Sequence, residues 1–329
     1  MQSSITESVA PNVVAITVTF HPDLSVLEKQ LMLLVGQVKA IVIVDNGSGF
    51  DSDALSRISA FGSSTRLIEL GENEGIAAAQ NEGIKWAISQ DADFVVLFDQ
   101  DSQPAPDMIA QLVHAHGIMV ADGYKVASVG PRYVDPRRDT KPPFIRFEGL
   151  KLVRCLNGEK ENVVRVDFLI SSGCLIPIQT INAVGMMKEE LFIDYVDIEW
   201  GLRARYCGYQ SFGSFDAHME HSLGDSPAKF FGRSLPLHSP LRHYYLARNG
   251  VWLYRQPWPP TNWKIVDAWR MLLKFGYYSL FAKPRWHHFK MMMLGFWHGM
   301  RGRMGALPVS HKNDFMLTYG ESTSRNGSK

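Results

Sequence analysis

Cysteine is scarce in this 329-residue chain: Cys155, Cys174 and Cys207 form an odd, scattered set with no C-x-x-C spacing. That argues against a disulfide framework and leads us to expect a reducing, cytoplasmic setting. The N-terminus, Met1-Gln-Ser-Ser-Ile-Thr-Glu-Ser8, lacks the basic and apolar segments of a secretory signal. No window supplies the roughly 18 uninterrupted apolar residues a membrane span requires. Also missing are a Walker A loop, His-Glu-x-x-His, Gly-x-Ser-x-Gly, and a full Gly-x-Gly-x-x-Gly after the first strand. P-loop, zincin and serine-hydrolase chemistry are thereby set aside, and a dehydrogenase reading is weakened. His218-Met-Glu220 is superficially like a zinc-deaminase motif, but the paired cysteines that chemistry needs are absent. The chain contains no internal repeat and no long low-complexity segment.

The composition is that of a globular protein, 46% hydrophobic and 20% charged, long enough for one large or two modest domains. Its net charge of +1 conceals an asymmetry. Between Pro240 and Gly305 eleven Lys and Arg stand against one acid, Asp267, so the chain before Pro240 carries about −10. Six of the eight tryptophans also fall in the basic stretch. Cations interleaved with Trp, Phe, Tyr and Met, as in Lys283-Pro-Arg-Trp-His-His-Phe-Lys-Met-Met-Met-Leu-Gly-Phe-Trp297, suit an anionic membrane surface with rings at headgroup level. Packing on the rest of the chain or on another subunit competes with that reading. Nucleic-acid binding ranks last.

The first two-thirds alternates strand and helix patterns. Buried strands are expected over Val13 to Phe20, Ala40 to Val44, Leu67 to Leu70, Phe94 to Phe98 and Val126 to Val129. Between them, helices are predicted after Ser25 (read as a cap), over Ile76 to Ser89, and over Pro106 to Met119. Such alternation argues for an α/β domain with a mainly parallel sheet, which binds ligands at the carboxyl ends of its strands. Pro131 to Glu161 reads as a long loop. Beyond it come strand character over Val163 to Pro177, a helix over Gln179 to Met187, a helix over Val196 to Tyr206, and a strand over Gln210 to His221. The helix from Val196 is acidic at its start and basic at its end, which suits the helix dipole.

Polar residues gather at these strand ends. The apolar run Phe94 to Phe98 gives way to Asp99 and Asp101, which leave a strand on the same side because side chains repeat with period two. Two converging carboxylates make a site for Mg²⁺ or Mn²⁺, ions that bridge to phosphate oxygens. Acid pairs after strands also serve as turn formers, a role Ser102 and Pro104 would suit. Asp45 could accept the imide N–H of a pyrimidine or simply shape the turn Asp45-Asn-Gly-Ser48. Asn73 and Gly75 precede a helix whose free N–H groups favour anions, although Asn73 could equally be a plain cap. The face with Ala77, Ala78, Asn81 and Lys85 could lie beside a ligand. Asp194, Asp197 and Glu199 crowd one helix start, where Asp197 is the candidate general base and Glu199 could orient it or the acceptor. Acids at a helix start are also common for dipole reasons alone. His221 ends a strand.

Taken together these residues resemble the inverting family 2 glycosyltransferases of GT-A fold, and more narrowly the bacterial rhamnosyltransferases that use dTDP-L-rhamnose. The matching pieces are Thr19-Phe-His-Pro-Asp23, Val44-Asp-Asn-Gly-Ser48, Asn73-Glu-Gly-Ile-Ala-Ala-Ala-Gln-Asn81, Leu97-Phe-Asp-Gln-Asp-Ser102, Asp194-Tyr-Val-Asp-Ile-Glu-Trp200 and His221. They run in the family's order over roughly residues 13 to 224. The resemblance implies a Rossmann-like α/β catalytic domain over 1–235, its donor half to about 130 and its acceptor half from about 131. Composition leads us to expect a basic, Trp-rich helical region over 236–320 for membrane-surface or subunit contact, and a disordered tail over 321–329. It implies a donor-nucleotide set of Phe20, His21, Asp45, Asn73, Gly75, Asn81, Asp99 and Gln100. Asp99, Asp101 and His221 would hold Mn²⁺ or Mg²⁺, and Asp197 would be the base, with Glu199 beside it. Many relatives carry two adjacent acids at the base position, whereas Val196 precedes Asp197 here.

The implied reaction moves L-rhamnose to a hydroxyl of a cell-surface glycan or lipid-linked oligosaccharide at the inner leaflet of the inner membrane. Another nucleotide sugar, or a non-catalytic membrane adaptor on this fold, stands as the alternative. A nucleotidylyltransferase should carry a Gly-rich basic loop after the first strand, which His21-Pro-Asp23 does not supply. A homo-oligomer is left open, and no nucleic-acid partner is expected.

Overall fold

A computed structural model describes residues 10–135, 142–221, 227–230, 233–236 and 238–308. In chain order the first half runs β1 (Val13–Thr19), α1 (Leu24–Leu34), β2 (Ala40–Asp45), α2 (Ser52–Ser59), β3 (Thr65–Glu69), α3 (Ile76–Ser89), β4 (Phe94–Asp99), β5 (Gln103–Pro104), α4 (Met108–Ala121) and β6 (Val126–Val134). There follow β7 (Phe144–Glu148), β8 (Lys151–Cys155), β9 (Val163–Val166), β10 (Leu175–Pro177), α5 (Ile178–Val184), a 3-10 turn at Glu189–Leu191, α6 (Val196–Tyr206) and β11 (Gln210–Glu220). The chain continues through β12 (Pro227–Phe230), β13 (Arg233–Pro236), α7 (Pro240–Arg255), α8 (Thr261–Phe281) and α9 (Arg285–Arg301).

One mixed sheet organises the first 220 residues, in the order β3-β2-β1-β4-β10-β6-β11-β5, with β9 added on β11. The parallel ladders β3-β2-β1-β4 and β6-β11 carry the long registers. Antiparallel β10 joins the two blocks through short pairings. Strand alternation sorts the core into two layers. Val14, Ile16 and Val18 face Ile84 and Ala87 of α3 and Val196, Trp200 and Ala204 of α6. Val13 and Ala15 face Leu27 and Leu31 of α1 and Leu112 of α4. With helices closing both faces, the polar strand ends are the part of the sheet left open to a ligand.

Four local readings need correction. Asp23, not Ser25, caps α1, its Oδ1 accepting the Ser25 main-chain N–H at 2.9 Å. Gly75 directly precedes α3 as expected, but Asn73 is not its cap: Asn73 Oδ1 takes the Gly75 N–H instead. Helix α2 was not foreseen; it is short and only Ala54 and Ile58 are buried, so its periodic signal is weak. The expected loop over 131–161 contains the end of β6 and a hairpin, β7–β8, whose turn at Gly149 is left-handed (φ 56°). Its apolar anchor is Phe144, edge-on to Phe215 at 5.0 Å beside Cys155 and Val164, a partner 71 residues away that local pattern cannot announce. The tail expected over 321–329 lies outside the described residues.

The described part of the basic C-terminal region folds as three helices. Tyr244 and Tyr245 of α7 pack with Phe192 and Met291, and Trp263 of α8 packs with Tyr195, Leu202 and Leu253. Part of this region is therefore core for the loop that precedes α6.

Candidate active site

The carboxyl ends of β1, β2 and β4 lie side by side, in register Thr19 to Asp45 and Val18 to Asp99. The chain turns away after each, so their last side chains and the following loops form one cleft.

On the β4 side the acids converge on a histidine that directly follows β11. His221 Nε2 lies 3.7 Å from Asp99 Oδ2, and His221 Nδ1 lies 3.5 Å from Asp101 Oδ1. One ligand atom from each of these three residues lies within 4.8 Å of the other two. Ligands of an octahedral ion at about 2.1 Å sit about 3 Å apart when adjacent and about 4.2 Å when opposite; the 3.5 and 3.7 Å approaches fall in that range, and the oxygen and nitrogen donors suit Mn²⁺ or Mg²⁺. Ser102 Oγ sits 2.9 Å from His221 Nδ1 and 2.5 Å from Ser172 Oγ, which fixes the imidazole ring. Burial raises the Asp99 carboxyl and neighbouring Asp101 raises it further, while His221 and Arg242 pull it back. His221 is pushed up on balance: burial lowers it, but the facing carboxylates outweigh that.

The β1–β2 side is a polar web. Asp45, wholly buried, accepts Thr19 Oγ1–H at 2.9 Å, the Ser48 N–H at 2.8 Å and the Ser48 hydroxyl. Gln100 Oε1 accepts the Phe20 N–H at 2.7 Å, and Ser48 Oγ accepts the His21 N–H at 2.8 Å. This leaves the Phe20 ring 44% exposed at the lip of the cleft, tilted against His21 at 4.4 Å. Asn73 Oδ1 accepts from Asn46 Nδ2 and from the Gly75 N–H, tying the third loop to the second. Gly75 has φ 93°, and a Cβ there would lie 2.6 Å from the Phe192 carbonyl oxygen, so only glycine lets α3 begin at this spot.

Asp197 lies in the first turn of α6, with Oδ1 accepting the Ile198 N–H at 2.8 Å. It lines a small cavity with Leu97, Ser171, Cys174, Met187 and Trp200. Burial among these groups, with Asp99 and Asp194 adding negative charge, pushes its carboxyl up to about 6. A carboxylate that holds a proton to that pH can both take one at neutrality and release it afterwards.

Two residues of the expected set lie elsewhere. Asn81 is buried in mid-α3, where its amide is spent on both main-chain groups of Met187 and on Glu189 Oε1. Glu199 is turned away from Asp197 by the helix, is 1% exposed, and forms a two-point pair with Arg203 at 2.8 and 3.0 Å. Arg203 in turn donates to the Val184 and Met186 carbonyls, so this pair locks α6 to the turn after α5. Spacing in sequence does not say on which side of a helix a polar side chain falls.

Sequence reading missed three residues on α7. Arg242 meets Asp194 at 3.2 Å, close enough to the cleft to be felt at Asp99. Fully buried Arg248 donates to the carbonyls of Leu191, Glu190 and Gly305, and Asn249 Nδ2 reaches those of Leu191, Ile193 and Asp194 at 2.8–2.9 Å. They hold a loop in which Phe192, Asp194 and Tyr195 are all left-handed (φ 62–65°). The signal was an Arg-Asn pair inside an otherwise Tyr- and Leu-rich helix.

Comparison with known proteins adds independent findings. The family model "Glycosyl transferase family 2" matches residues 17–175. The chain is 34% identical over 298 residues to the dTDP-rhamnosyl transferase RfbF of Shigella flexneri, covering 90% of this chain and 97% of that one. It is 24% identical over 300 residues to the galactofuranosyltransferase GlfT1 of Mycobacterium tuberculosis, covering 86% and 95%. Among solved structures, GalNAc-T7 with UDP, GalNAc and Mn²⁺ superposes with TM-score 0.55 at 12% identity, over 90% of this chain and 58% of that one. S. aureus TarS 1–349 in complex with UDP-GlcNAc gives 0.53 at 14%, over 88% and 81%. At such identities these two speak for the fold alone, which is the GT-A glycosyltransferase fold.

Proposed function

The chain belongs to glycosyl transferase family 2 and is a glycosyltransferase, and from that premise we propose that it moves L-rhamnose from dTDP-L-rhamnose to an acceptor hydroxyl with inversion at the anomeric carbon. The donor assignment is supported by the 34% identity to RfbF along nearly its whole length. The observation that carries the chemistry is that Asp197 lines a small cavity with Leu97, Ser171 and Trp200, near enough to Asp99 to feel its charge, and is pushed up to about 6.

In this reading the acceptor hydroxyl attacks C1 of the sugar as Asp197 takes its proton. The bond from C1 to the diphosphate oxygen breaks, and dTDP leaves on the opposite face. The exposed Phe20 ring is a stacking surface for thymine, and Asp45 keeps the Ser48 loop in place beside it. Asn73 and Gly75 shape the amino end of α3, whose free N–H groups favour the diphosphate. Arg242 adds a cation on the same side. Mn²⁺ or Mg²⁺ held by Asp99, Asp101 and His221 would neutralise the diphosphate charge as it leaves.

For the acceptor we infer a glycan or lipid-linked oligosaccharide, met from a peripheral position on the cytoplasmic face of the inner membrane; the cationic helical region supports this. Residues 1–235 form the catalytic unit in this scheme, and the α7–α9 region serves it as a buttress and a surface contact. The test is incubation of the purified protein with dTDP-L-rhamnose, UDP-sugars and GDP-sugars in turn, with a lipid-linked acceptor, reading released nucleotide and the anomeric coupling of the product. Turnover with UDP- or GDP-sugars alone would discard rhamnose, and a retained anomeric configuration would discard the single displacement.

A further inference from the structure

Helices α8 and α9 are apolar on the side that faces away from the protein. On α8 the inward face carries Trp263 and Tyr278, 2% and 3% exposed. Half a turn around, Ile265, Trp269, Leu272, Leu273 and Leu280 form a second stripe, each more than half exposed. Their spacing of three and four residues, continued by Gly276, keeps them on one face. On α9 the same pattern recurs with Trp286, Met293, Phe296, Trp297 and Met300. The two helices touch through half-buried Phe275 of α8 and Phe289 of α9 at 5.6 Å, and Phe289 stacks on exposed Trp286 at 5.4 Å. Water-facing helices do not normally carry a continuous surface of this kind.

The charges around this surface have one sign. Arg270, Lys283, Arg285, Lys290 and Arg301 are exposed along it. Lys290 Nζ lies 5.2 Å over the Trp286 ring and Arg301 Cζ 3.9 Å over Trp297, so cations rim the aromatic stripe. The one acid of these helices, Asp267, is turned inward and accepts the hydroxyls of Tyr195 and Tyr254, each at 2.6 Å. A second copy placed face to face by a two-fold axis would set cation against cation. No helix among the described residues is long and apolar enough to cross a membrane.

We propose that the outward face of α8 and α9 docks in the headgroup region of an anionic phospholipid bilayer, with the tryptophans at the acyl boundary and the cations on lipid phosphates. Docking there places the same helix against both membrane and site, because Asp267 on its inward face holds Tyr195, two residues before Asp197. The proposal takes its purpose from the lipid-linked acceptor proposed above, but its geometry does not depend on the donor or the reaction.

The test is flotation of the full-length protein with vesicles of phosphatidylglycerol and phosphatidylcholine against phosphatidylcholine alone, run at low and high salt. Binding to the anionic vesicles that weakens with salt is expected. Trp269→Glu with Trp297→Glu, or Arg285→Glu with Lys290→Glu, should weaken it by about tenfold or more. Both pairs are exposed, so circular dichroism and nucleotide-induced thermal shifts should match the parent. Flotation needs no turnover, so a protein that binds vesicles but transfers no rhamnose overturns the donor reading and leaves the docking standing. Equal binding by parent and variants, binding to neither vesicle, or a concentration-dependent dimer in light scattering that Trp269→Glu with Trp297→Glu dissociates, would each overturn the docking proposal.

Discussion

Asn249 Nδ2 lies 2.9 Å from the main-chain carbonyl oxygen of Asp194, three residues ahead of Asp197. The same amide reaches the carbonyls of Leu191 and Ile193, so one side chain on α7 gathers a loop that has three non-glycine residues in the left-handed region. Each such residue costs on the order of 1 kcal/mol or more, and the conformation persists only where the surroundings over-determine it. Asn249→Ala leaves those carbonyls unmet and should lower kcat by about 10- to 100-fold with donor KM within about twofold, because the base, not the nucleotide pocket, loses its place. Asn249→Asp should not rescue, since a carboxylate cannot donate to a carbonyl. A variant with a lower Tm but undiminished kcat would show that the contact serves stability alone.

The cluster Asp99, Asp101 and His221 predicts a coupled metal and nucleotide response. Thermal melting with dTDP should show an upward shift of a few degrees in Mn²⁺ or Mg²⁺ and much less in EDTA, since a ligand bound at about 100 times its Kd adds about 2.7 kcal/mol. Asp101→Asn should abolish the metal-dependent part while keeping the parent melting temperature without ligand, because Asp101 is exposed. An undiminished shift in Asp101→Asn would remove that residue from the site.

Gly75 offers a steric test. A methyl group there meets the Phe192 carbonyl oxygen and Phe192 side chain at 2.6–2.7 Å, in a backbone conformation that L-residues avoid. The same carbonyl accepts the Ile76 N–H at 2.7 Å, so relief of the clash pulls α3 from the loop before α6. Gly75→Ala should cost about 2–4 kcal/mol and should reduce turnover with it. Urea unfolding reads the first and initial rates the second; an unchanged urea midpoint would mean that the loop yields at no cost.

The sheet was legible because its strands are apolar runs with few alternatives, and α3 and α6 were bounded to the residue by Gly75 at one start and by an acidic-to-basic gradient in the other. Period two led us to expect Asp99 and Asp101 on one side, but β4 ends at Asp99 and it is the turn after it that brings Asp101 to His221; His221 was expected there from the resemblance. Sequence could not show which side of α6 Glu199 would take, that Asn81 would be consumed by Met187, or that the β7–β8 hairpin would anchor on Phe215. All three depend on partners far along the chain. The same holds for the tryptophans of the basic region: Trp263 is core while Trp269, six residues on, is 60% exposed, a split set by which side of α8 meets Tyr195.

Asp197 gives the sharpest prediction, because its pH behaviour and its stability effect have opposite signs. Burial first, then Asp99 and Asp194, raise its carboxyl from 3.8 to about 6. A base acts only when ionised, so kcat/KM should fall as pH drops through about 6, with the acid limb lost in Asp197→Asn. The native state binds this proton more tightly than the unfolded chain does. Native and unfolded proton uptake therefore differ between about pH 4 and 6, and above that window the ionised, buried carboxylate weakens the fold. Asp197→Asn should then cut turnover by at least about a thousandfold while leaving Tm at pH 7.5 equal to or above that of the parent. A variant that lost several degrees at pH 7.5 would show that the carboxylate is structural, and one that kept near-normal turnover would show that another group takes the proton.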